Sequence, residues 1–456
     1  MSQATSDGCP IVNVTTLIDE CPVGRFQFLT ILLCGLLVFA EGYDAQAIAY
    51  AAPAIRAAWK INNGGLVPVF GAGMAGIMLG SLFIAPLADR FGRRRVILYA
   101  TFSFALMMLM TSLARSTGML SAMRFLTGVG IGGAMANVVA LTAEYSPSRR
   151  RTLFIMLMFC GFSLGSAAGG GVAVWLIPQF GWPSVFWFGG LMSLVLVPFL
   201  IGFLPESISF LVVRDSADRT AVRLFERLGL KLAPNVRIIL GEGSAARGSV
   251  FELFSQDRGW ITILIWVIFF MNLLDLNLIV AWLPTTLLAT GTATNQAMIA
   301  GSVFQISGMI GAIVLALTST RLGTGWILVV GNIIAAVSIL LVADMHNGSF
   351  ETMFAVAGAG FGVVGGQIAA NALPATFYPT FVRATGTGWA LGIGRIGSIV
   401  GPVAGGMLLA MNMQPRQFFS LCVIPMIVAA LAAVLVQRAL QRRAAAQRWA
   451  TARATQ

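Results

Sequence analysis

The chain has 456 residues, of which 57% are hydrophobic and only 10% are charged, and its mean hydropathy is +0.86. A soluble domain carries roughly 25% charged residues and a disordered chain needs low hydrophobicity, so this composition excludes both classes. Most of the surface must therefore face lipid. The net charge of +12 is typical either of a nucleic-acid-binding protein or of a membrane protein with basic loops on one side.

Twelve segments are long and apolar enough to cross a bilayer, which takes about 20 helical residues each. The predicted spans lie near 26–51, 65–88, 95–114, 117–143, 153–176, 183–204, 259–284, 296–319, 325–343, 351–374, 385–409 and 417–437. The predicted domains are an N-terminal segment (1–25), a six-helix half (26–204), a linker (205–258), a second six-helix half (259–437) and a basic tail (438–456). The predicted fold class is therefore an all-α membrane protein with two six-helix, pseudo-symmetric halves.

The basic residues outside the spans indicate the orientation of the chain. If both termini are inside, the outer segments hold only Arg56, Lys60, Arg115 and Arg416. Positively charged loops stay on the cytoplasmic side, so both termini, the linker and the tail are predicted to be cytoplasmic. This distribution explains most of the positive excess without a nucleic-acid partner.

The two halves contain an internal repeat. Without a gap, "FAEGYDAQAIAYAAP" (39–53) aligns with "FMNLLDLNLIVAWLP" (270–284), so that Asp44 lies over Asp275 and Pro53 over Pro284. An intramembrane carboxylate at the same place in both halves indicates an internal repeat rather than a coincidence. Two parallel six-helix halves around a central site are typical of a large class of secondary transporters.

Ionisable residues inside spans are the main functional candidates, because a charge at the bilayer centre costs about 2.5–3.5 kcal/mol or more. A structural ion pair between helices is the alternative interpretation, above all for the residue near a helix end, Glu144. The six candidates are Glu41, Asp44, Arg124, Glu144, Asp275 and Arg395.

The acidic candidates suit proton transfer and the basic ones suit a carboxylate ligand. Glu41 and Asp44 share one helix face, and two carboxylates in a poorly solvated cavity repel each other, so the pair can hold a proton near neutral pH. Asp275 is assigned the same role in the second half. Arg124 and Arg395 carry planar guanidinium groups that bind carboxylates bidentately, although Arg395 could instead pair with an acidic residue.

Polar and aromatic residues at membrane depth complete the predicted substrate site. Amides there could orient a substrate and aromatic rings could stack on it, although interhelical hydrogen bonds and packing are the alternatives. The candidates are Tyr43, Asn137, Asn272, Gln305, Gln367 and Trp389.

A compact charge cluster, "APLADRFGRRRV" (85–96), lies between spans two and three. We expect it to act as a conformational latch at the cytoplasmic face through salt bridges and helix-end contacts. Simple positive-inside anchoring is the alternative. The residues assigned to the latch are Asp89, Gly92, Arg93, Glu144, Arg151 and Arg383.

These motifs carry a family resemblance. "LADRFGRRR", "RFLTGVGIGG" and the six-plus-six layout resemble the major facilitator superfamily, and "EGYDAQAI", "AEYSP", "LPES" and "GIGRIGSIVGP" resemble its aromatic acid:proton symporters. The resemblance implies proton-driven uptake of an aromatic carboxylate such as 4-hydroxybenzoate, protocatechuate or benzoate. It also implies that Asp44, Asp89, Gly92, Arg124, Glu144, Arg383 and Arg395 are important for transport.

The expected protein is thus a monomeric symporter of the bacterial inner membrane, driven by the proton gradient without a cofactor. Symport is favoured over antiport because "GFSLGSAAGGG" (161–171) lacks the Gly-Pro step that related drug:proton antiporters carry in this span. A symporter of another organic acid or lactone, an exporter and a non-transporting aromatic receptor stay open. An enzyme is not expected, since no nucleophile or metal constellation is present and the single histidine, His346, lies in a predicted loop.

Overall fold

The structure is a computed structural model that describes residues 3–4, 10–13, 24–147, 151–214, 237–239, 250–255, 258–344, 350–371, 373–378, 380–411 and 413–454. It contains twelve helices that are long and apolar enough to cross a membrane. The predicted number and type of spans are therefore confirmed.

The spans are numbered one to twelve in chain order. The first six are Arg25–Trp59, Gly64–Leu87, Arg93–Thr111, Thr117–Glu144, Arg151–Phe180 and Pro183–Phe203. The second six are Gly259–Ala289, Thr294–Leu322, Thr324–Asp344, Phe350–Ala370, Thr380–Ala410 and Pro415–Ala454. Span two is irregular: helix Val67–Leu79 continues through a π turn at Gly80–Ile84 and a 3-10 turn at Ala85–Leu87.

Short elements lie between the spans. Three helices are Ala88–Phe91, Ile208–Arg214 and Leu373–Phe377, and a further 3-10 turn is Val250–Leu253; another 3-10 turn, Asn63–Leu66, forms the start of span two. Strands β1 (Gln3–Ala4), β2 (Pro10–Asn13) and β3 (Arg237–Ile239) form a small sheet in which β2 pairs antiparallel with β1 and parallel with β3. All three strands lie outside the spans.

The chain forms two compact units that do not divide simply at the linker. Unit 1 contains 1–45, 72–166 and 182–245. Unit 2 contains 246–456 together with 46–71 and 167–181, which are the predicted outer parts of spans one, two and five. In unit 1, apolar side chains of spans one, three, four, five and six form one buried core. In unit 2, a second core joins spans seven, eight, nine, ten, eleven and twelve.

The same glycine contact brings two helices together in each unit. In unit 1, a Cβ on Gly165 of span five would overlap the carbonyl oxygen of Phe39 in span one. In unit 2, a Cβ on Gly397 of span eleven would overlap the carbonyl oxygen of Phe270 in span seven. Phe39 and Phe270 are aligned in the sequence repeat, so the repeat extends from the sequence to the helix packing.

Large apolar side chains are exposed along the outer faces of many spans, as at Trp175 (60% exposed), Leu317 (71%) and Phe354 (72%). Exposed apolar area on this scale is typical of a surface that contacts lipid rather than water.

Candidate functional site

A buried ion pair joins spans one and four. Arg124 Nη1 donates to Asp44 Oδ1 at 2.6 Å, and Arg124 Nη2 donates to the backbone oxygen of Asp44 at 3.3 Å. The two side chains are 6% and 0% exposed. The second carboxylate oxygen, Asp44 Oδ2, has no hydrogen-bond partner among the described residues. The pair therefore satisfies the charge of both groups while leaving one carboxylate oxygen available.

Aromatic side chains and a second carboxylate surround this pair. The Arg124 guanidinium lies 6.0 Å from the ring centroid of buried Phe186, within the range of a cation–π contact. Tyr43 Oη donates to the backbone oxygen of Val185 at 3.0 Å, so this expected substrate contact is held by span six. Glu41, one turn before Asp44, is fully buried. The first half thus contains two acidic residues in a region closed to bulk water.

The second half contains a carboxylate without the arginine. Asp275 is fully buried, and neither carboxylate oxygen has a hydrogen-bond partner among the described residues. The side-chain amide of Asn272, one turn earlier and aligned with Glu41, is likewise buried without a described partner. The repeat therefore conserves a polar face on span seven, but the structure does not bring Asp275 into an ion pair within the part of the chain that it describes.

Arg395 lies on an open face of span eleven. Its side chain is only half-buried, in contrast to Arg124, which is 5% exposed. Gly392 and Gly388 precede it by three and seven residues, and a Cβ on either glycine would meet nothing within 4 Å. Residues at these spacings share a helix face, so Arg395 lies on a face of span eleven that has open space at both glycines. This geometry suits a ligand that carries a carboxylate.

Some of the remaining expected substrate residues have described contacts with other helices, and others do not. Asn137 Nδ2 donates to the backbone oxygens of Ala85 and Gly133, so its described contacts join spans two and four. The Trp389 ring stacks on Trp266 at 5.7 Å. Gln305 and Gln367 are buried, and Gln367 Oε1 has no described partner.

Some residues of the predicted latch form a polar cluster within unit 1. Arg93 Nη1 forms an ion pair with Glu144 Oε1, and Glu144 Oε2 accepts from Ser207 Oγ at 2.7 Å. Gly92 adopts a φ of 94°, which favours glycine, and turns the chain into span three. The cluster thus connects the start of span three, the end of span four and the segment after span six. The side chains of the other latch residues, Asp89, Arg151 and Arg383, lie outside the described part of the structure.

Glu206 is a member of this cluster that the sequence prediction did not include. Glu206 Oε1 accepts from the backbone nitrogens of Arg94 and Ser207, both at 2.9 Å, and its backbone oxygen accepts from Tyr145 Oη at 2.7 Å. Burial, with the nearby charges of Glu144 and Glu206, raises the pKa of Tyr145 well above its ordinary value, so the phenol stays neutral and donates. The "LPES" motif was the signal for this residue, but its partners are far away in sequence.

Tyr50 is a second residue that sequence reasoning missed, and it lies in the C-terminal part of span one, within unit 2. It is fully buried in a slot between spans five and eight, where a Cβ on Gly301 would approach its ring to 2.6 Å and a Cβ on Gly170 to 3.2 Å. Ser302 Oγ donates to the backbone oxygen of Ala167 at 2.6 Å beside this slot. The C-terminal parts of spans one and five are thus tightly packed against span eight.

Among the described residues, no group of three or more His, Cys, Asp or Glu side chains is placed to hold a metal ion. His346 lies outside the described residues.

The fold agrees with the comparisons to known proteins. The family model for the Major Facilitator Superfamily matches residues 34–285 and 265–454. The chain therefore belongs to the major facilitator superfamily, whose members are transporters, and it is a multi-pass membrane protein rather than an enzyme.

Among curated proteins, it is 36% identical to a gallate transporter of Pseudomonas putida, over 92% of this chain and 94% of the relative. It is 35% identical to the 4-hydroxybenzoate transporter PcaK of Acinetobacter baylyi, over 92% of this chain and 93% of the relative. The resemblance to aromatic acid transporters is thus confirmed.

Solved structures show the same fold. The xylose transporter XylE from E. coli matches with a TM-score of 0.70 at 14% identity, covering 90% of this chain and 97% of that chain. A mutant of the nucleoside transporter NupG matches with a TM-score of 0.69 at 13% identity, covering 90% of this chain and 100% of that chain.

Proposed function

We propose that this protein is a proton-coupled symporter that imports an aromatic carboxylate by alternating access. One observation carries the substrate class: the relatives at 35% and 36% identity, matched over 92% of the chain, are named as gallate and 4-hydroxybenzoate transporters. A benzoate transport protein of Acinetobacter baylyi is 29% identical over 93% of the chain and supports the same class. These substrates share a carboxylate on an aromatic ring.

Arg395 is the arginine that we assign to the substrate carboxylate. Arg124 is almost fully buried, whereas Arg395 is half-buried on a helix face that has open space at Gly388 and Gly392. A guanidinium at a poorly solvated site binds a carboxylate with two charge-assisted hydrogen bonds. The amides of Asn272, Gln305 and Gln367 and the ring of Trp389 are proposed to orient the aromatic ring of the substrate.

Asp44 is the leading candidate for the proton. Its Oδ2 atom has no described partner, and a proton there would cancel the carboxylate charge and weaken the ion pair with Arg124. Spans one and four would then be released from the interaction that fixes them. Because a bound substrate brings a negative charge into a region of low dielectric, proton and substrate should favour each other's binding. Glu41 and Asp275 complete the proposed proton-coupling set.

The cluster of Arg93, Glu144, Glu206 and Ser207 is proposed to stabilise one conformation at the cytoplasmic face, together with Asp89, Gly92, Arg151 and Arg383. The contact of Arg93 with Glu144 lies entirely within unit 1. The latch would therefore act by fixing the ends of spans three, four and six relative to one another. Breaking these contacts would let the cytoplasmic ends of spans three, four and six move during transport.

The proposed setting is the bacterial inner membrane, with both termini cytoplasmic and a monomer as the working unit. The distribution of basic residues supports this orientation, because the outer segments hold few of them. The proton gradient would supply the driving force, without a cofactor.

Uptake into proteoliposomes tests the substrate assignment. Radiolabelled 4-hydroxybenzoate should accumulate against its gradient when the lumen is alkaline, and a proton ionophore should abolish this accumulation. Arg395→Gln should lower the affinity for the acid by at least tenfold because it removes the charged partner of the carboxylate. Arg416→Gln is the matched control, since its ion pair with Asp344 is exposed.

Two outcomes would overturn the assignment. Absence of accumulation in the wild-type vesicles, together with tight binding of the acid, would indicate a receptor. Efflux driven by the same gradient would indicate an exporter.

A further inference from the structure

Asn277 of span seven and Ser398 of span eleven form a polar pair that has no role in the function proposed above. Asn277 Nδ2 donates to Ser398 Oγ at 3.1 Å and to the backbone oxygen of Leu273 at 2.8 Å. Both side chains are half-buried. Spans seven and eleven are in close contact here, because Gly397 and Gly401 of span eleven pack on backbone atoms of Phe270 and Leu274. The position of this pair is therefore fixed by the helix packing.

The hydrogen bonds orient the Asn277 amide. Ser398 Oγ donates its own hydrogen to the backbone oxygen of Gly394, so it accepts from Asn277. The two described bonds use both hydrogens of the Asn277 amide nitrogen. The amide oxygen, Asn277 Oδ1, receives no hydrogen bond from the described residues. Asn277 thus presents an oriented acceptor with no described donor.

This acceptor is near the proposed carboxylate site. Ser398 lies three residues after Arg395 on one helix, and residues at that spacing have Cβ atoms about 5–6 Å apart. Asn277 contacts Ser398 from the neighbouring helix, so Asn277 lies beside span eleven one turn away from Arg395. A hydroxyl on the far side of a ring whose carboxylate is held by Arg395 is a donor of the right kind for this acceptor.

We propose that Asn277 is a specificity-determining residue whose Oδ1 accepts a hydrogen bond from a ring hydroxyl of the substrate, and that Ser398 is its positioning residue. This inference rests on the proposed function and adds to it the residue that recognises a ring hydroxyl of the substrate. A site that is built to hydrogen-bond a hydroxyl rejects an analogue without it, because its own polar group is then left without a partner.

A purely structural role for the pair makes a different prediction. Hydrogen bonds between membrane helices are common, and a bond that only joins spans seven and eleven would affect every substrate equally. The ratio of affinities for two acids that differ by one hydroxyl separates the two roles. Benzoate and 4-hydroxybenzoate are such a pair.

The test measures dissociation constants of both acids by titration calorimetry on the purified full-length protein. The wild type should bind 4-hydroxybenzoate more tightly than benzoate. Asn277→Leu should weaken 4-hydroxybenzoate binding by about tenfold, which corresponds to one lost hydrogen bond, and leave benzoate binding within about twofold. Benzoate binding also reports whether the variant is folded.

Ser398→Ala provides the second variant. It keeps Asn277 but removes the hydroxyl that orients the amide, so it should weaken 4-hydroxybenzoate selectively and by less than Asn277→Leu. If Asn277→Leu does not fold, the ratio in Ser398→Ala decides the question. Equal weakening of both acids, or no change in either, overturns the proposal.

Failure of the proposed function gives a different result. A wild-type protein that binds neither acid overturns the substrate class and the role of Asn277 with it. A wild-type protein that binds both acids equally, and whose preference Asn277→Leu does not alter, overturns only the role of Asn277.

Discussion

The first six and the last six spans share a glycine contact between two helices but not their charges. In the first half, Gly165 of span five packs on the Phe39 carbonyl, and in the second, Gly397 of span eleven packs on the aligned Phe270 carbonyl. Asp44 of the first half is paired with Arg124, whereas Asp275, its aligned partner, is buried without a described partner. The repeat therefore preserves the scaffold, while the charges have diverged.

The two halves differ because the arginine of span four has no counterpart in span ten. Span ten, the counterpart of span four, has no Lys or Arg anywhere in its sequence, Phe350–Ala370. The intramembrane arginine of the second half is instead Arg395 on span eleven, where it lies on an open face. A division of labour is consistent with this placement: a switchable ion pair in the first half and an anion-binding arginine in the second.

The largest effect is expected from breaking the buried pair. Arg124→Leu would leave the Asp44 carboxylate buried without its cation, and the loss of one partner of a buried pair costs about 3–5 kcal/mol. The measurement is the free energy of unfolding in detergent. Arg416→Leu is the matched control, because its exposed pair with Asp344 should contribute about 0–1 kcal/mol. Equal losses in both variants would contradict the structural importance of the buried pair.

The shared scaffold predicts two equal effects. Gly165→Ala and Gly397→Ala each place a methyl group against a backbone carbonyl, and overpacking of this kind costs about 1–3 kcal/mol. Thermal unfolding of the two variants should show shifts of the same size. Gly202→Ala is the control, because a Cβ there meets nothing within 4 Å. A large loss in only one half would show that the packing symmetry has no energetic counterpart.

Buried tyrosines near the ends of spans four and ten give a smaller pair of effects. Tyr145 Oη donates to the Glu206 backbone oxygen at 2.7 Å, and Tyr378 Oη donates to Thr262 Oγ1 at 3.1 Å. Replacing either residue by Phe should cost about 0.5–1.5 kcal/mol of unfolding free energy.

Alkaline pH adds a second readout at Tyr145. Its pKa is raised in the folded state, so its contribution is complete below the unfolded pKa of about 10 and is lost as the pH rises above that value. Tyr145→Phe should therefore make stability less sensitive to pH above about 10. An unchanged alkaline profile in this variant would argue against the raised pKa.

The smallest effect on stability is expected at Asp275. Because no described cation is paired with it, Asp275→Asn removes no ion pair and should change the unfolding free energy by less than about 1 kcal/mol. Asp44→Asn, which removes the anion beside Arg124, should cost clearly more. Accumulation driven by the proton gradient should nevertheless fall in Asp275→Asn, and full accumulation would remove Asp275 from the proton-coupling set.

The sequence predicted much of this arrangement. Hydropathy and length gave the twelve spans, because a membrane-spanning helix requires a long apolar run. The cost of intramembrane charge identified Asp44 and Arg124, and the structure pairs them. The repeat identified Asp275, since an aligned carboxylate in an apolar helix is conspicuous.

Contacts between distant segments were beyond the reach of sequence patterns. Glu206 joins the cluster of Arg93 and Glu144 because the segment after span six lies beside the start of span three and the end of span four. In the sequence Tyr50 is an ordinary aromatic residue, and only the structure shows that Gly301 and Gly170 pack around it. The choice between Arg124 and Arg395 as the substrate ligand likewise needed their different burial.

One measurement tests the proposed proton role of the first half most directly: transport of 4-hydroxybenzoate by Asp44→Asn in proteoliposomes, in two modes. Uphill accumulation driven by a pH gradient requires proton release, whereas exchange of labelled for unlabelled substrate at equal pH does not. Asp44→Asn, which mimics the neutral carboxyl, is predicted to lose accumulation and retain exchange. Gradient-driven accumulation at the wild-type level in this variant would contradict the assignment of the coupled proton to Asp44.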